Sequence, residues 1–179
     1  MLKALKSRPQ TAAASVLILL GLALRLRQYL TLRSLWLDEA MLALNIVNRD
    51  FGGLFKPLDY DQGAPLGFLL LEKLAATLWG SGELPLRLLP FIAGCSALIL
   101  FYFYLCRVTN TPGLLTALAL FAVSAPQIYY SSEVKQYASD VFIALLLLYL
   151  ASRAWPSPSA LPQRGRGLTA LTSLITHYS

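Results

Sequence analysis

Two acids stand side by side in the stretch SLWLDEA, residues 34–40: Asp38 and Glu39. A carboxylate can take a proton from a hydroxyl, and partial desolvation raises its pKa and makes it a better base. A second charged cluster, YYSSEVKQYASD over residues 129–140, carries Glu133, Lys135, Tyr137 and Asp140. Lys135 offers a cation to an anionic group. If Ser132 caps the following helix, Glu133, Tyr137 and Asp140 share one face, being four and then three residues apart. Each cluster also has a plainer reading. Acids in the first turn of a helix are stabilised by the backbone dipole, and tyrosines around a local Glu133–Lys135 ion pair make an ordinary interfacial belt. Asp140 speaks against the plainer reading of the second cluster, because it enters an apolar run and intramembrane acids are usually functional.

The clusters can cooperate only if the elements between them bring the chain back to the same side. Composition says what those elements are. The chain has 179 residues, 56% hydrophobic and 13% charged, with a mean hydropathy of +0.58; soluble domains carry about a quarter charged residues. This is the profile of an integral membrane protein. The net charge of +6 comes from 15 Lys and Arg scattered between apolar runs, which suits topology rather than nucleic acid. Cys95 and Cys106 lie in one apolar run, about 16 Å apart along a helix and beyond disulfide reach. No Cys or His cluster has metal-ligand spacing, and no Gly-rich phosphate loop is present.

Lys3, Lys6 and Arg8 predict a cytoplasmic N-terminus. The apolar run that follows has no small-residue cleavage site before Arg25 and Arg27, so it reads as an uncleaved signal anchor. The first span covers residues 11–30, with both arginines snorkelling from its last turn. An amphipathic helix over 37–47 is too short to cross and lies on the outer surface. Residues 51–63 are loop-like, with Asp59 and Asp61 exposed or near the site. Segment 64–80 decides the topology, since Glu72 and Lys73 interrupt it. Only if it is interfacial or re-entrant do Arg107, Arg153, Arg164 and Arg166 join Lys3, Lys6 and Arg8 on the inner side. An interfacial helix is therefore expected there, with Glu72 and Lys73 as a structural pair.

Spans over 88–106, 114–127 and 137–152 follow, with an outer loop at 128–136. A partial span over 168–179 stops short of a crossing, so the chain reads as the front part of a longer protein. His177, within that segment, reads as a packing residue. The expected fold is an all-α polytopic transmembrane helical bundle with interfacial helices in its first outer loop, in the cell membrane, with both acidic clusters on the periplasmic or extracellular side.

The succession of motifs resembles a known family. W-L-D-E-A, then D-Q-G-A-P-L-G-F-L-L-L, G-S-G-E-L-P-L-R-L-L-P-F-I-A-G, S-S-E-V-K-Q-Y and finally T-H-Y is similar to the N-terminal part of the GT-C glycosyltransferases. The likeness is to glycosyltransferase family 39 and its relatives: protein O-mannosyltransferases, the aminoarabinose transferase of lipid A and the lipopolysaccharide galacturonosyltransferases. Such enzymes move a sugar from a polyprenyl-phosphate carrier to a lipid, glycan or protein acceptor on the outer face of the membrane. The resemblance implies that Asp38 is the general base and that Glu39 orients the acceptor or shares that role. It maps the second-loop motif, commonly Glu-x-Arg-x-Tyr, onto Glu133, Lys135 and Tyr137, with Asp140 beside them. Lysine in place of arginine keeps a cation for the lipid phosphate but loses the bidentate fork. The expected partners are the polyprenyl-phosphate sugar, its acceptor and membrane lipids. Two acids could hold a divalent metal, though no spacing demands one. Because the family's later helices and soluble domain often complete substrate binding, this stretch alone is expected to be inactive. The competing class is a transporter or lipid-binding membrane protein in which Glu72, Asp140 and Lys135 line a path. Transporters usually show internal repeats, and none is visible here.

Overall fold

The computed structural model describes residues 8–154, and among them every regular element is a helix. The expected segment 168–179 with His177, the loop holding Arg164 and Arg166, and Lys3 and Lys6 lie outside the described residues. In chain order the helices are α1 (Arg8–Leu30), α2 (Leu37–Asn48), α3 (Leu66–Trp79), α4 (Glu83–Val108), α5 (Thr111–Val123), α6 (Ala125–Tyr130) and α7 (Tyr137–Ala154), with a 3-10 turn over Gly53–Phe55. Helices α1, α4 and α7 are long and apolar enough to cross a membrane.

Helix α4 is the central element and touches α1, α3, α5, α6 and α7. It begins five residues before the expected start at 88, because a run of apolar residues ends at Arg87 while the helix does not. The Arg87 guanidinium is buried, and its Nη2 donates to the Arg33 carbonyl at 2.7 Å. Tyr29 Oη donates to the Leu84 carbonyl at 2.9 Å, so the end of α1 meets the start of α4. Arg107 Nη2 donates to the Ser152 carbonyl at 2.9 Å, so α4 and α7 finish together. Hence α1 and α4 are antiparallel, α4 and α7 parallel, and one end of the bundle gathers the end of α1 and the starts of α4 and α7.

Two apolar clusters hold this arrangement. Ala14, Leu98, Leu105, Leu114, Leu118 and Ala122 join α1, α4 and α5. Gly21 lets them close: a Cβ there would stand 2.6 Å from Leu98 Cδ2 and 3.1 Å from Ala122 Cβ. The second cluster, Leu42, Ile46, Leu54, Phe68, Leu86 and Val134, binds α2 and α3 to the start of α4 and to the turn before α7. Helix α3 has 14 residues and rises about 21 Å, short of the roughly 30 Å of a bilayer's hydrocarbon core.

The run expected as one span over 114–127 is split. Helix α5 is capped by Asn110, whose Oδ1 accepts from the Gly113 N–H at 3.1 Å. It ends at Ser124, and α6 restarts with a proline, Pro126, in its first turn. Proline has no N–H for the carbonyl four residues back, that of Ala122. Arg25 supplies the donor: its guanidinium reaches the carbonyls of Ala122 (3.3 Å), Phe121 (3.5 Å) and Gly21 (3.0 Å). Arg25 is thus fully buried, which corrects the expectation that it snorkels outward. Its charge is used inside the bundle to close a helix break.

Candidate active site

Helix α2 starts where Glu39, its third residue, accepts the Trp36 N–H on Oε2 at 3.0 Å. That is half of a capping box. The other oxygen, Oε1, accepts the Val134 N–H at 2.9 Å. Glu39 is completely buried, with Arg33 Nη2 at 3.6 Å. One carboxylate therefore ties the first acidic stretch to the second, 95 residues away. Its oxygens are both taken from within, by backbone N–H groups, whereas the resemblance has Glu39 orient the acceptor or share the base role.

Asp38 projects the other way. Its side chain is 63% exposed, and Oδ2 lies 2.9 Å from Lys135 Nζ. Gln62 closes a ring: its Nε2 donates to Asp38 Oδ1 at 3.0 Å, and its Oε1 accepts from Lys135 Nζ at 2.7 Å. The Lys135 side chain is only 6% exposed. Asp38 and Lys135, expected on the same side of the bundle, are in direct contact, and the local Glu133–Lys135 pair of the plainer reading does not form. The desolvation expected to make Asp38 a stronger base is absent. The Lys135 hydrogen bond, followed by that of Gln62, instead holds its carboxyl below the usual range.

Gln62 reaches the ring because α2 steers the loop. Buried Asn45 grips the backbone of Asp59 at both ends, donating to its carbonyl at 3.2 Å and accepting its N–H at 2.9 Å. Arg49 Nη2 pairs with the Asp59 carboxylate at 2.8 Å. Tyr60 (φ 63°) and Asp61 (φ 52°) then turn the chain through the left-handed region. This conformation is uncommon for non-glycine residues and is held only when the surroundings over-determine it.

On the opposite wall, Ser131 and Ser132 are buried, and their hydroxyls donate back to the Ile128 and Tyr129 carbonyls at 2.6 and 3.2 Å. They finish α6 and do not cap α7, which begins only at Tyr137. Glu133 therefore lies in the turn before α7, so the expected common face of Glu133, Tyr137 and Asp140 is reduced to the last two, which share the exposed side of α7's first turn. A Cβ on Gly94 of α4 would stand 2.6 Å from Ser131 Cβ, so the turn that carries Lys135 rests directly on the central helix. Glu133 is half-buried, and its Oε2 has no hydrogen-bond partner. Burial, then the Glu39 charge, pushes its carboxyl up against the opposing pull of Arg33 and Lys135. Asp38 and Glu133 are thus driven in opposite directions.

Two further residues belong to the site. Arg33 Nη1 donates to Tyr129 Oη at 2.8 Å, and the guanidinium lies 4.2 Å from that ring's centroid. Together with Glu39 it ties the end of α6 to the start of α2. Gln62 lies within the D-Q-G-A-P motif, but nothing in its spacing reveals that the loop bends back 24 residues to Asp38.

Among the described residues no group of three His, Cys, Asp or Glu side chains is placed to hold a metal. With Asp38 already on a lysine and Glu39 sealed inside, the donors fit a divalent cation poorly. A shallow hollow of about 560 Å³, lined by Asn48, Arg49, Asp50, Gly53, Lys56 and Pro57, sits at the far end of α2, about 15 Å along the helix from Asp38. None of the ring residues Asp38, Gln62 and Lys135 lines that hollow. Comparison with protein-family models, curated proteins and solved structures finds no match.

Proposed function

We propose that this chain carries the catalytic end of a membrane glycosyltransferase, one that moves a sugar from a polyprenyl-phosphate carrier to a hydroxyl of a lipid, glycan or protein acceptor at the outer face of the membrane. The observation that carries the reading is the contact between Asp38 and Lys135, an exposed carboxylate on a buried ammonium at 2.9 Å. Sugar transfer from a phosphate needs both charges, one for the proton and one for the leaving group. In the step proposed, the acceptor oxygen bonds to the anomeric carbon while the bond from that carbon to the phosphate oxygen breaks. The electron pair of the broken bond leaves on the phosphate, beside Lys135. The acceptor's proton passes to Asp38. An ammonium in a poorly hydrated site stabilises developing phosphate charge far better than water does.

Glu39 and Arg33 are positioning residues in this reading. They hold the turn at 133–135 against α2 and touch no substrate. Tyr137 and Asp140 are exposed in the first turn of α7, and exposed Trp36 and Leu37 at the start of α2 offer apolar surface to a lipid carrier. The N-terminus is cytoplasmic, the chain crosses the membrane several times, and the ring looks outward. Charge placement supports that orientation, with Arg8 at the opposite end of α1 from the ring and Arg107 and Arg153 in the last turns of α4 and α7.

The test is Asp38→Asn in membrane vesicles that carry the protein and are supplied with radiolabelled polyprenyl-phosphate sugar. Loss of a general base costs about 10²- to 10⁴-fold, so transfer falls by at least that lower factor while the protein still inserts. Undiminished turnover removes Asp38 from the mechanism.

A further inference from the structure

The two charges of the ring differ in kind. Lys135 is part of the scaffold: Ser131, Ser132 and Val134 around it are fully buried, and the Val134 N–H is fixed to Glu39 at 2.9 Å. A buried ammonium must be matched by an anion. Asp38, which supplies it, is 63% exposed, and its two oxygens meet only Lys135 and Gln62 among the described residues. The cation is fixed and the anion is replaceable. Gln62 suits an exchange, because its amide donates outward to the carboxylate and accepts from the ammonium. A phosphate oxygen in the carboxylate's place receives the same donors with no movement of the loop.

We propose that Asp38 is a resident stand-in for phosphate, so that the resting site is closed by its own carboxylate and an incoming phosphate takes Lys135 from Asp38. This rests on the reading above for the identity of the reaction, and it adds a device to it. The base is held by the cation until the donor's phosphate claims that cation. Released from two donors, the Asp38 carboxylate gains proton affinity at the moment an acceptor hydroxyl needs it. The remaining charges around the ring, Glu39 with Arg33 at 3.6 Å and the turn residue Glu133, do not contact Lys135 Nζ and stay in place through the exchange. Trp36 and Leu37, 66% and 70% exposed at the same end of α2 as Asp38, favour a phosphate that carries a chain.

The exchange is measured by isothermal titration of the purified chain in an uncharged detergent, with octyl phosphate and with inorganic phosphate as probes. Removing the competing carboxylate in Asp38→Asn tightens octyl phosphate about fivefold, the worth of one accessible ion pair. Gln62→Glu, which sets a second carboxylate against Lys135, weakens it by a similar factor. Lys135→Met abolishes binding and Lys135→Arg retains it, which separates loss of charge from loss of fold. Unchanged or weaker binding in Asp38→Asn overturns the proposal, since Asp38 is then not in the phosphate's place. Equal binding of inorganic phosphate overturns the chain-bearing ligand. Because titration involves no sugar transfer, tighter binding in Asp38→Asn beside a wild-type protein that transfers no sugar would refute the transferase reading and leave the exchange standing.

Discussion

Glu72 is the most isolated acid among the described residues, and its effect on stability can be worked out in advance. It lies on the buried face of α3 with Phe68, Leu69 and Ala75, and neither of its oxygens has a partner. Burial pushes its carboxyl from 4.5 up to about 9. At neutral pH the folded chain therefore holds a proton that the unfolded chain releases. Stability then falls as pH rises through the window from about 4.5 to about 9, at about 1.4 kcal/mol per pH unit. At pH 7 the cost is about 1.4 × 2.5, or roughly 3.5 kcal/mol. Between pH 5.5 and 8.5 it grows by about 4 kcal/mol, which lowers Tm by roughly 8–16 °C for a chain of this size. The assay is thermal unfolding in neutral detergent across that range, wild type against Glu72→Gln and Glu72→Leu. Glu133 contributes a slope of the same sign and Asp38 one of opposite sign, so the difference from wild type isolates Glu72. Both variants should lack the Glu72 slope, and Glu72→Leu should be the more stable protein at pH 7. Parallel decline in wild type and Glu72→Gln would refute the reasoning, because the group that titrates would then lie elsewhere.

The break between α5 and α6 makes a second prediction. Arg25→Met leaves the Ala122 and Phe121 carbonyls without their donor and costs about 1–3 kcal/mol. Adding Pro126→Ala restores a backbone N–H for Ala122 and should recover part of that loss in the same unfolding assay; a double variant no better than the single one rejects the capping role. Glu39→Ala removes the acceptor of two backbone N–H groups and the partner of Arg33, at about 3 kcal/mol. It should also loosen the turn that carries Lys135, weakening octyl phosphate binding in titration, whereas a structural loss confined to α2 would leave that affinity unchanged.

Much of the helical frame was legible because hydrophobic runs and turn residues follow simple periods. The amphipathic stretch at 37–47 is α2, Leu37–Asn48, and the interrupted segment at 64–80 contains α3, Leu66–Trp79. Charges inside the helices were misread for a physical reason. Glu72 and Lys73 look like a pair in sequence, but neighbours on a helix do not face each other. Glu72 turns into the apolar core, while Lys73 Nζ donates to the Val47 carbonyl at 3.0 Å and finishes α2. Arg25 and Arg87 likewise look like the limits of apolar runs. Each is instead buried against backbone carbonyls of other segments, which no local pattern encodes. Gln62 was hidden for the same cause, since its place depends on Asn45 and Arg49 gripping Asp59 and on two left-handed residues after it.

The same helical geometry resolves the acidic pair. Asp38 and Glu39, adjacent in α2, cannot converge on one substrate atom, because successive helical positions diverge. One of them must enter the core if the other faces out. Glu39 can be buried because backbone N–H groups on both sides, at Trp36 and Val134, meet its oxygens, and the positive end of the α2 dipole favours charge there. Its burial in turn fixes the residue before Lys135, and so decides where the ammonium stands. Asp38 needs no such support and keeps its freedom. The buried acid thus sets the distance at which the exposed acid meets the cation, and a carboxylate and an ammonium come to lie 2.9 Å apart although the chain separates them by almost a hundred residues.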